Sequence, residues 1–297
     1  MSVGLTELAR RQRRAQRGAT LAIGQSRGGA FGLGMAAWVI GLVWIFPIAW
    51  TLLTSFKSEQ DAAAQTFHDG LTLGRYSDVS HSTPGTLSLQ TAFMNSFVVV
   101  AVSTLIVLLL ALPAAYALAI RPIHKWRDVL FFFISTKFLP IVASIFPIYV
   151  YAEKWNLIGT RTVLIVLYIA INLPLAIWMI RSFFMEVPRE LIEAAEIDGT
   201  SFYNQLRSVI VPLAAPGIAA TAFLCFIFAW NEYFYALQLN FASGSTMPQW
   251  VISNVSTRGN FLAKLSAASI IACLPVVILG WAAQKRMIRG LSMGALK

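Results

Sequence analysis

Residues 193–212 read EAAEIDGTSFYNQLRSVIVP, an acidic amphipathic stretch broken by one glycine and closed by a proline. It lies between two apolar runs, Thr162–Ile180 and Pro216–Leu239. Runs of about 20 apolar residues are what a helix needs to cross the hydrocarbon core of a bilayer. A polar segment held between two such runs sits at a membrane surface, where something in the aqueous phase can dock on it.

Four further runs qualify as spans: Phe31–Leu53, Ala92–Ile120, Val129–Ala152 and Leu265–Ala283. Composition agrees. The chain is 57% hydrophobic and 12% charged, with a mean hydropathy of +0.68. Soluble domains carry about 45–50% apolar and about 25% charged residues, so this chain lacks the polar surface that water requires. Lipid satisfies no backbone polar group, and the alternating short strands of a barrel are missing, so the spans must be helices. The expected fold is all-α: a polytopic membrane protein with six transmembrane helices and a cytoplasmic pair of short helices. The net charge of +10 falls in short loops rather than along an aromatic-rich basic face, so no nucleic-acid partner is expected.

Basic residues set the orientation. With the N-terminus inside, sixteen Lys and Arg fall on the cytoplasmic side, including Arg10, Arg11, Arg13, Arg14 and Arg17, and six on the other. This excess places both termini and the 181–212 loop on the cytoplasmic side. The first apolar run is longer than a signal peptide's and lacks a small-residue cleavage site, so it reads as an uncleaved span. The expected layout is a cytoplasmic segment 1–30, a six-helix transmembrane domain 31–284 with its loop at about 186–212, and a cytoplasmic tail 285–297.

Within the loop, Pro188 suits a first helical turn, and Glu186 and Glu190 complement its positive end. Leu191, Ala194 and Ala195 share a face. Asp198-Gly199 breaks the helix, Thr200 or Ser201 caps a second one carrying Phe202, Leu206 and Val209, and Pro212 ends it before the next span. Helices that lie on lipid favour Lys and Arg, whereas this pair presents Glu190, Glu193, Glu196 and Asp198. A basic protein groove fits them better.

Glu193-Ala194-Ala195, Gly199 six positions later and Val209-Ile210-Val211-Pro212 resemble the EAA loop of permease subunits of ABC importers that use a solute-binding protein. Ile180–Phe184, Val187–Leu191, Ala229-Trp230-Asn231-Glu232 and the C-terminal Gly290–Lys297 resemble the carbohydrate branch, similar to the inner-membrane subunits of maltose importers. The resemblance implies a coupling element of Glu193, Ala194, Ala195, Asp198, Gly199, Phe202 and Pro212. It also implies a second permease subunit as heterodimer partner, two ATPase subunits and an extracytoplasmic solute-binding protein. The chain itself would bind no cofactor, ATP and Mg being held by the ATPase. Ser135-Thr136-Lys137 resembles the run of sugar-alcohol permeases, where many sugar permeases carry an apolar residue. The implied substrate is therefore a sugar or a polyol.

The candidate substrate path follows from polar residues inside spans. Lys137 and Glu232 are the deep charges, costly in lipid and expected to work or to pair with each other. Asn231, Tyr235 and Gln238 form a stripe on the fifth span, and Tyr168 and Asn172 a shorter one on the fourth. Hydrogen bonding between helices is the alternative use of such residues. No Gly-Lys pair occurs, which excludes a phosphate-binding P-loop on this chain. His68, His81 and His124 all lie outside spans, and Cys225 and Cys273 lie within them without a CxxC, so neither hydrolase nor metal chemistry is expected. Gly32–Ala37 matches a dinucleotide pattern but opens a membrane helix. A stand-alone secondary transporter is the alternative, and would need more ionisable relays within the spans.

Overall fold

The computed structural model describes residues 27–68, 70–81, 88–121, 123–239, 245–254 and 261–294. The Arg10–Arg17 run and residues 295–297 lie outside them. Arg27–Thr54 (α1) belongs to a first unit and is described by itself. It is a 28-residue helix that keeps Pro47 in its interior, where Thr51 donates its hydroxyl to the Pro47 carbonyl at 2.8 Å.

The second unit begins with α2 (Glu59–Ala64) and α3 (Gly74–Ser80), between the first two apolar runs. Then come α4 (Leu89–Ala119), α5 (Trp126–Ser135), a 3₁₀ turn (Thr136–Phe138), α6 (Ile141–Lys154), α7 (Arg161–Phe184), α8 (Arg189–Ile197) and α9 (Phe202–Gln205). A π turn (Leu206–Ile210) leads into α10 (Val211–Trp230), followed by α11 (Phe234–Leu239), α12 (Met247–Ser253) and α13 (Leu262–Gly294). No strand occurs among the described residues. Five helices are long and apolar enough to cross a membrane, six if α5 and α6 count as one bent span.

The α4–α7 pair forms the centre. Along α4 the buried side chains Ala92, Ser96, Val100, Ser103, Val107, Ala111 and Ala115 run down one stripe at helical spacing, and most are small. Along α7 the buried residues Leu164, Tyr168, Asn172, Ala176, Ile180 and Phe184 recur every fourth residue. Small residues let two backbones approach closely, which is what drives association where lipid removes the hydrophobic difference. One apolar cluster surrounds Tyr168, Trp230 and Trp250, and a second surrounds Tyr116, Ile180 and Phe184.

The third span departs from the continuous Val129–Ala152 helix expected. It bends by 92° between the turn ending at Phe138 and α6. Three local causes converge. Ser135 and Thr136 return their hydroxyls to the Phe132 and Phe133 carbonyls at 2.8 and 2.7 Å, closing the end of α5. Pro140 brings no N–H to continue the ladder, and the residue before a proline is pushed out of the helical region. Leu139 is accordingly extended, at φ −67° and ψ 125°.

The fifth span is also shifted from Pro216–Leu239. One helical rod runs from Phe202 to Trp230, and the chain then breaks before α11. Pro212 therefore does not end the second loop helix. It sits in the first turn of α10, where its missing N–H is harmless, and the π turn absorbs the change of register just before it, with the Val211 N–H reaching the Leu206 carbonyl.

Side chains from neighbouring helices close carbonyls near internal prolines. Lys137 donates its ammonium to the Ile171 carbonyl, three residues before Pro174. Trp230 donates its indole N–H at 3.1 Å to the Ala272 carbonyl, three residues before Pro275. At the start of α13, the Glu59 carboxylate accepts the N–H groups of Ala263 and Lys264 at 3.1 and 2.8 Å, a cap supplied from α2.

Gly217 on α10 lies directly under the Phe183 ring, and a methyl there would overlap it. Gly217→Ala should therefore lower stability by about 1–3 kcal/mol, as overpacked cores do. Gly280→Ala, whose methyl meets only the tip of Phe223 at 3.0 Å, should cost less. Thermal unfolding of the detergent-purified variants measures both, and equal melting temperatures for wild type and Gly217→Ala would contradict the packing described.

Candidate functional site

The Glu193–Pro212 segment folds as a helical hairpin. Pro188 stands at the N-cap of α8, one step before the first turn where the sequence placed it. The expected shared face of Leu191, Ala194 and Ala195 divides. Ile192 and Ala195, at i and i+3, are the buried residues, while Leu191 and Ala194 are exposed. The reason is geometric: Val187 and Ile192 pack into the second cluster, which turns Leu191 outward.

Gly199 makes the bend at φ +67°, a conformation L side chains rarely adopt. The Thr200 N–H reaches back to the Ala195 carbonyl at 3.1 Å, and the Thr200 hydroxyl to the same oxygen at 2.6 Å. Ser201 then caps α9 by accepting the Asn204 N–H at 3.4 Å. On the outer surface Ile197 is 87% exposed, and Phe202 and Tyr203 are exposed beside Glu193, Ala194 and Asp198. Glu196 is held by Arg121 at 2.8 Å. That bond is the leading cause holding the Arg121 guanidinium above its usual range, with both partners in water. Glu190, Glu193 and Asp198 have no such ion pair among the described residues.

Behind the hairpin, a cleft of about 530 Å³ opens between the ends of α4 and α7 and α8. Trp126, Arg181, Arg189, Glu193 and Glu196 line it. Arg181 lies 4.2 Å from the centre of the Trp126 ring and donates to the Leu118 carbonyl at 3.1 Å, closing the negative end of α4. Such a mixed-sign lining fits a protein edge better than a lone anion.

Gln205 and Tyr116 belong to this site and escaped the sequence reading. Gln205 is 2% exposed; it accepts the Tyr116 hydroxyl and donates to the Ile192 carbonyl at 3.2 Å. The only signal was a glutamine on the inward face of an amphipathic turn.

The intramembrane polar residues form a different arrangement from the two stripes. The Glu232 carboxylate accepts the Tyr168 hydroxyl at 3.1 Å and the N–H groups of Tyr235 and Ala236 at 2.9 and 3.3 Å. It thereby caps α11 at the break after Trp230. Ser144, from α6, meets the Tyr235 hydroxyl at 3.0 Å and was another residue not foreseen. Asn172 donates to the Tyr168 carbonyl at 2.9 Å, with its amide oxygen buried and unpartnered. Asn231 is turned back on α10, donating to the Ile227 carbonyl at 2.9 Å, so it shares no helical face with Tyr235 and half-buried Gln238. The expected stripe is cut because the helix itself stops at Trp230. Lys137 and Glu232 do not pair: the first is spent on Ile171, the second on Tyr168 and the α11 backbone. No group of three or more metal-ligating side chains occurs among the described residues.

Residues 93–292 match the family described as "Binding-protein-dependent transport system inner membrane component". The chain belongs to this family. This inner membrane component is 32% identical over 269 residues to the sulfoquinovosyl glycerol transport system permease protein SmoH of Agrobacterium fabrum, covering 89% of the present chain and 92% of that one. It is 31% identical over 267 residues to the trehalose/maltose transport system permease protein MalG of Thermococcus litoralis, covering 89% and 95%. Its fold matches a chain in the crystal structure of a bacterial ABC transporter that imports the acidic polysaccharide alginate, with a TM-score of 0.68 and 23% identity, over 88% of this chain and 98% of that one. The chain is thus an ABC transporter permease of the inner membrane.

Glu232→Leu would leave two N–H groups without an acceptor, at about 1–3 kcal/mol for each one left buried, and the Tyr168 hydroxyl with only the main-chain carbonyl of that position at 3.4 Å. Glu232→Gln keeps one oxygen for Tyr235 and offers an amide to Tyr168. The leucine variant should melt well below the glutamine variant in detergent, and equal melting would disprove the capping role.

Proposed function

We propose that this chain forms half of the translocation pathway of an ABC importer for a sugar or polyol. A second permease subunit completes the pathway as a heterodimer, and two ATPase subunits hold ATP and Mg and drive the cycle. An extracytoplasmic binding protein delivers the solute. Both termini and the α8–α9 hairpin face the cytoplasm.

The observation that carries this reading is the outer surface of the hairpin. Ile197, Leu191, Phe202 and Tyr203 are exposed together with Glu190, Glu193 and Asp198, and nothing within the described bundle covers them. An apolar patch rimmed by acids is a surface made for a partner, and a basic-edged groove on an ATPase supplies both terms. Glu193, Ala194, Ala195, Asp198, Gly199, Phe202 and Pro212 form the coupling element in this proposal. Gly199 sets the bend, Ala194 permits close approach, Ala195 seats the hairpin, and Pro212 stands in the first turn of α10, directly after the π turn.

The substrate class rests on the relatives' sugar-containing solutes and on the polar residues of the spans. Lys137 and Asn231, both exposed, would meet the solute with Gln238, while Tyr168, Asn172, Glu232 and Tyr235 would shape the wall behind them. A stand-alone secondary transporter is less well supported, because the Glu232 carboxylate already carries three donors and Lys137 a backbone carbonyl. Neither is set up as a proton relay.

Gly199→Val places a β-branched residue in left-handed backbone, at a cost of about 1–2 kcal/mol. Uptake should be lost and the ATPase should no longer co-purify at wild-type yield. Full uptake by this variant would refute the coupling role. In cells expressing the intact importer, labelled-solute uptake should be competed by disaccharides or sugar alcohols and not by amino acids; competition by amino acids alone would overturn the substrate class.

A further inference from the structure

Gln205 occupies a position unlike any other in the hairpin. The two ends of its side-chain amide bond different helices, the oxygen accepting the Tyr116 hydroxyl of α4 and the nitrogen donating to the Ile192 carbonyl of α8. Both Gln205 and Tyr116 are almost fully buried, at 2% and 3% exposure. The Tyr116 ring also stands edge-on to Phe202, with centroids 4.7 Å apart. One glutamine thus ties both arms of the hairpin to one long helix. The exposed Arg121–Glu196 pair runs parallel to this link, but charges in water are held weakly. A buried, satisfied hydrogen-bond pair is the stiffer connection.

The covalent connection on the other side of Gln205 is different. The next five residues, Leu206–Ile210, form the π turn, immediately followed by Val211 and Pro212. Single π turns interrupt the regular ladder and serve as points where a helix can change register. The hairpin is therefore bolted to α4 by side chains and joined to α10 through a yielding turn.

We infer that Gln205, acting through Tyr116, is a positioning residue that sends hairpin displacement into the α4–α7 pair, with the π turn letting α10 lag behind. This deepens the coupling role proposed above and rests on it. The physical route is continuous. Tyr116 lies in the apolar cluster that α4 shares with Ala176, Ile180 and Phe184 of α7, and α7 also carries Tyr168, whose hydroxyl holds Glu232 at the break between α10 and α11. Movement of the hairpin thereby arrives at the intramembrane break from the α7 side.

Tyr116→Phe tests the link, because it keeps the ring against Phe202 and removes only the hydroxyl. In the complete complex reconstituted with its binding protein, ATP hydrolysis and solute uptake are measured together. The variant complex should assemble with its ATPase, and uptake per ATP hydrolysed should fall at least about fivefold, the lower range of ordinary coupling between sites. Unchanged uptake per ATP would overturn the proposal. Should Tyr116→Phe not assemble, Tyr116→Phe/Gln205→Met leaves neither the phenol nor the glutamine amide buried without a partner. In that double variant, stability should recover and the loss of uptake per ATP should persist; recovery of both would reduce the pair to a packing role and sink the inference. Failure of the coupling reading itself is distinguishable, since the wild-type chain would then not retain an ATPase at all.

Discussion

Backbone groups inside a bilayer must find partners within the protein, and prolines in this chain repeatedly take partners away. Much of the architecture follows from where the helices absorb that loss and where they break. Pro174 and Pro275 stay inside their helices, and a lysine from the broken third span and a tryptophan from α10 bond the carbonyls three residues upstream, next to the Ala170 and Ile271 carbonyls whose partners the prolines remove. Pro140 has no such support, and two hydroxyls have already closed the helix before it, so the third span turns through 92° instead. The same residue type is silent in one place and decisive in another. What differs at Pro140 is that the helix before it has already ended, closed by its own hydroxyls.

That contrast explains what was legible in the sequence. Six apolar runs, an all-α fold and a polar hairpin between the fourth and fifth runs could be read directly, because length and composition suffice for them. The Asp198-Gly199 bend could also be read, since few residues tolerate the backbone it needs. The break at Leu139–Pro140 could not be separated from six harmless prolines without knowing which neighbours stand opposite. The end of the fifth helix at Trp230 was hidden for a related reason: Asn231 and Glu232 look like path-lining polar residues by spacing, yet their side chains cap the two helix ends on either side of them. Spacing along one helix says nothing once the helix has ended.

The two polar regions of the molecule obey different rules. At the hairpin, acidic and apolar side chains are left outward, while the buried faces of α8 and α9 are held by Ile192, Ala195 and Gln205. Within the described spans most buried polar groups are turned to a partner on their own chain, and Thr104 and Asn172 are exceptions, a hydroxyl and an amide oxygen left bare. The first arrangement invites a surface from elsewhere; the second organises the interior so that few polar groups remain to meet a solute. This division also shows why sequence alone overstates a substrate path. It counts polar residues without knowing how many are already satisfied.

The rod from Phe202 to Trp230 holds 29 residues, or about 43 Å at 1.5 Å per residue. The hydrocarbon slab is about 30 Å thick, so more than a turn must project beyond it. Such a member acts as a lever arm. A slight tilt about the bilayer centre sweeps its outer end through a larger arc than any side chain inside the slab, and the π turn sits on the segment where that sweep would be greatest.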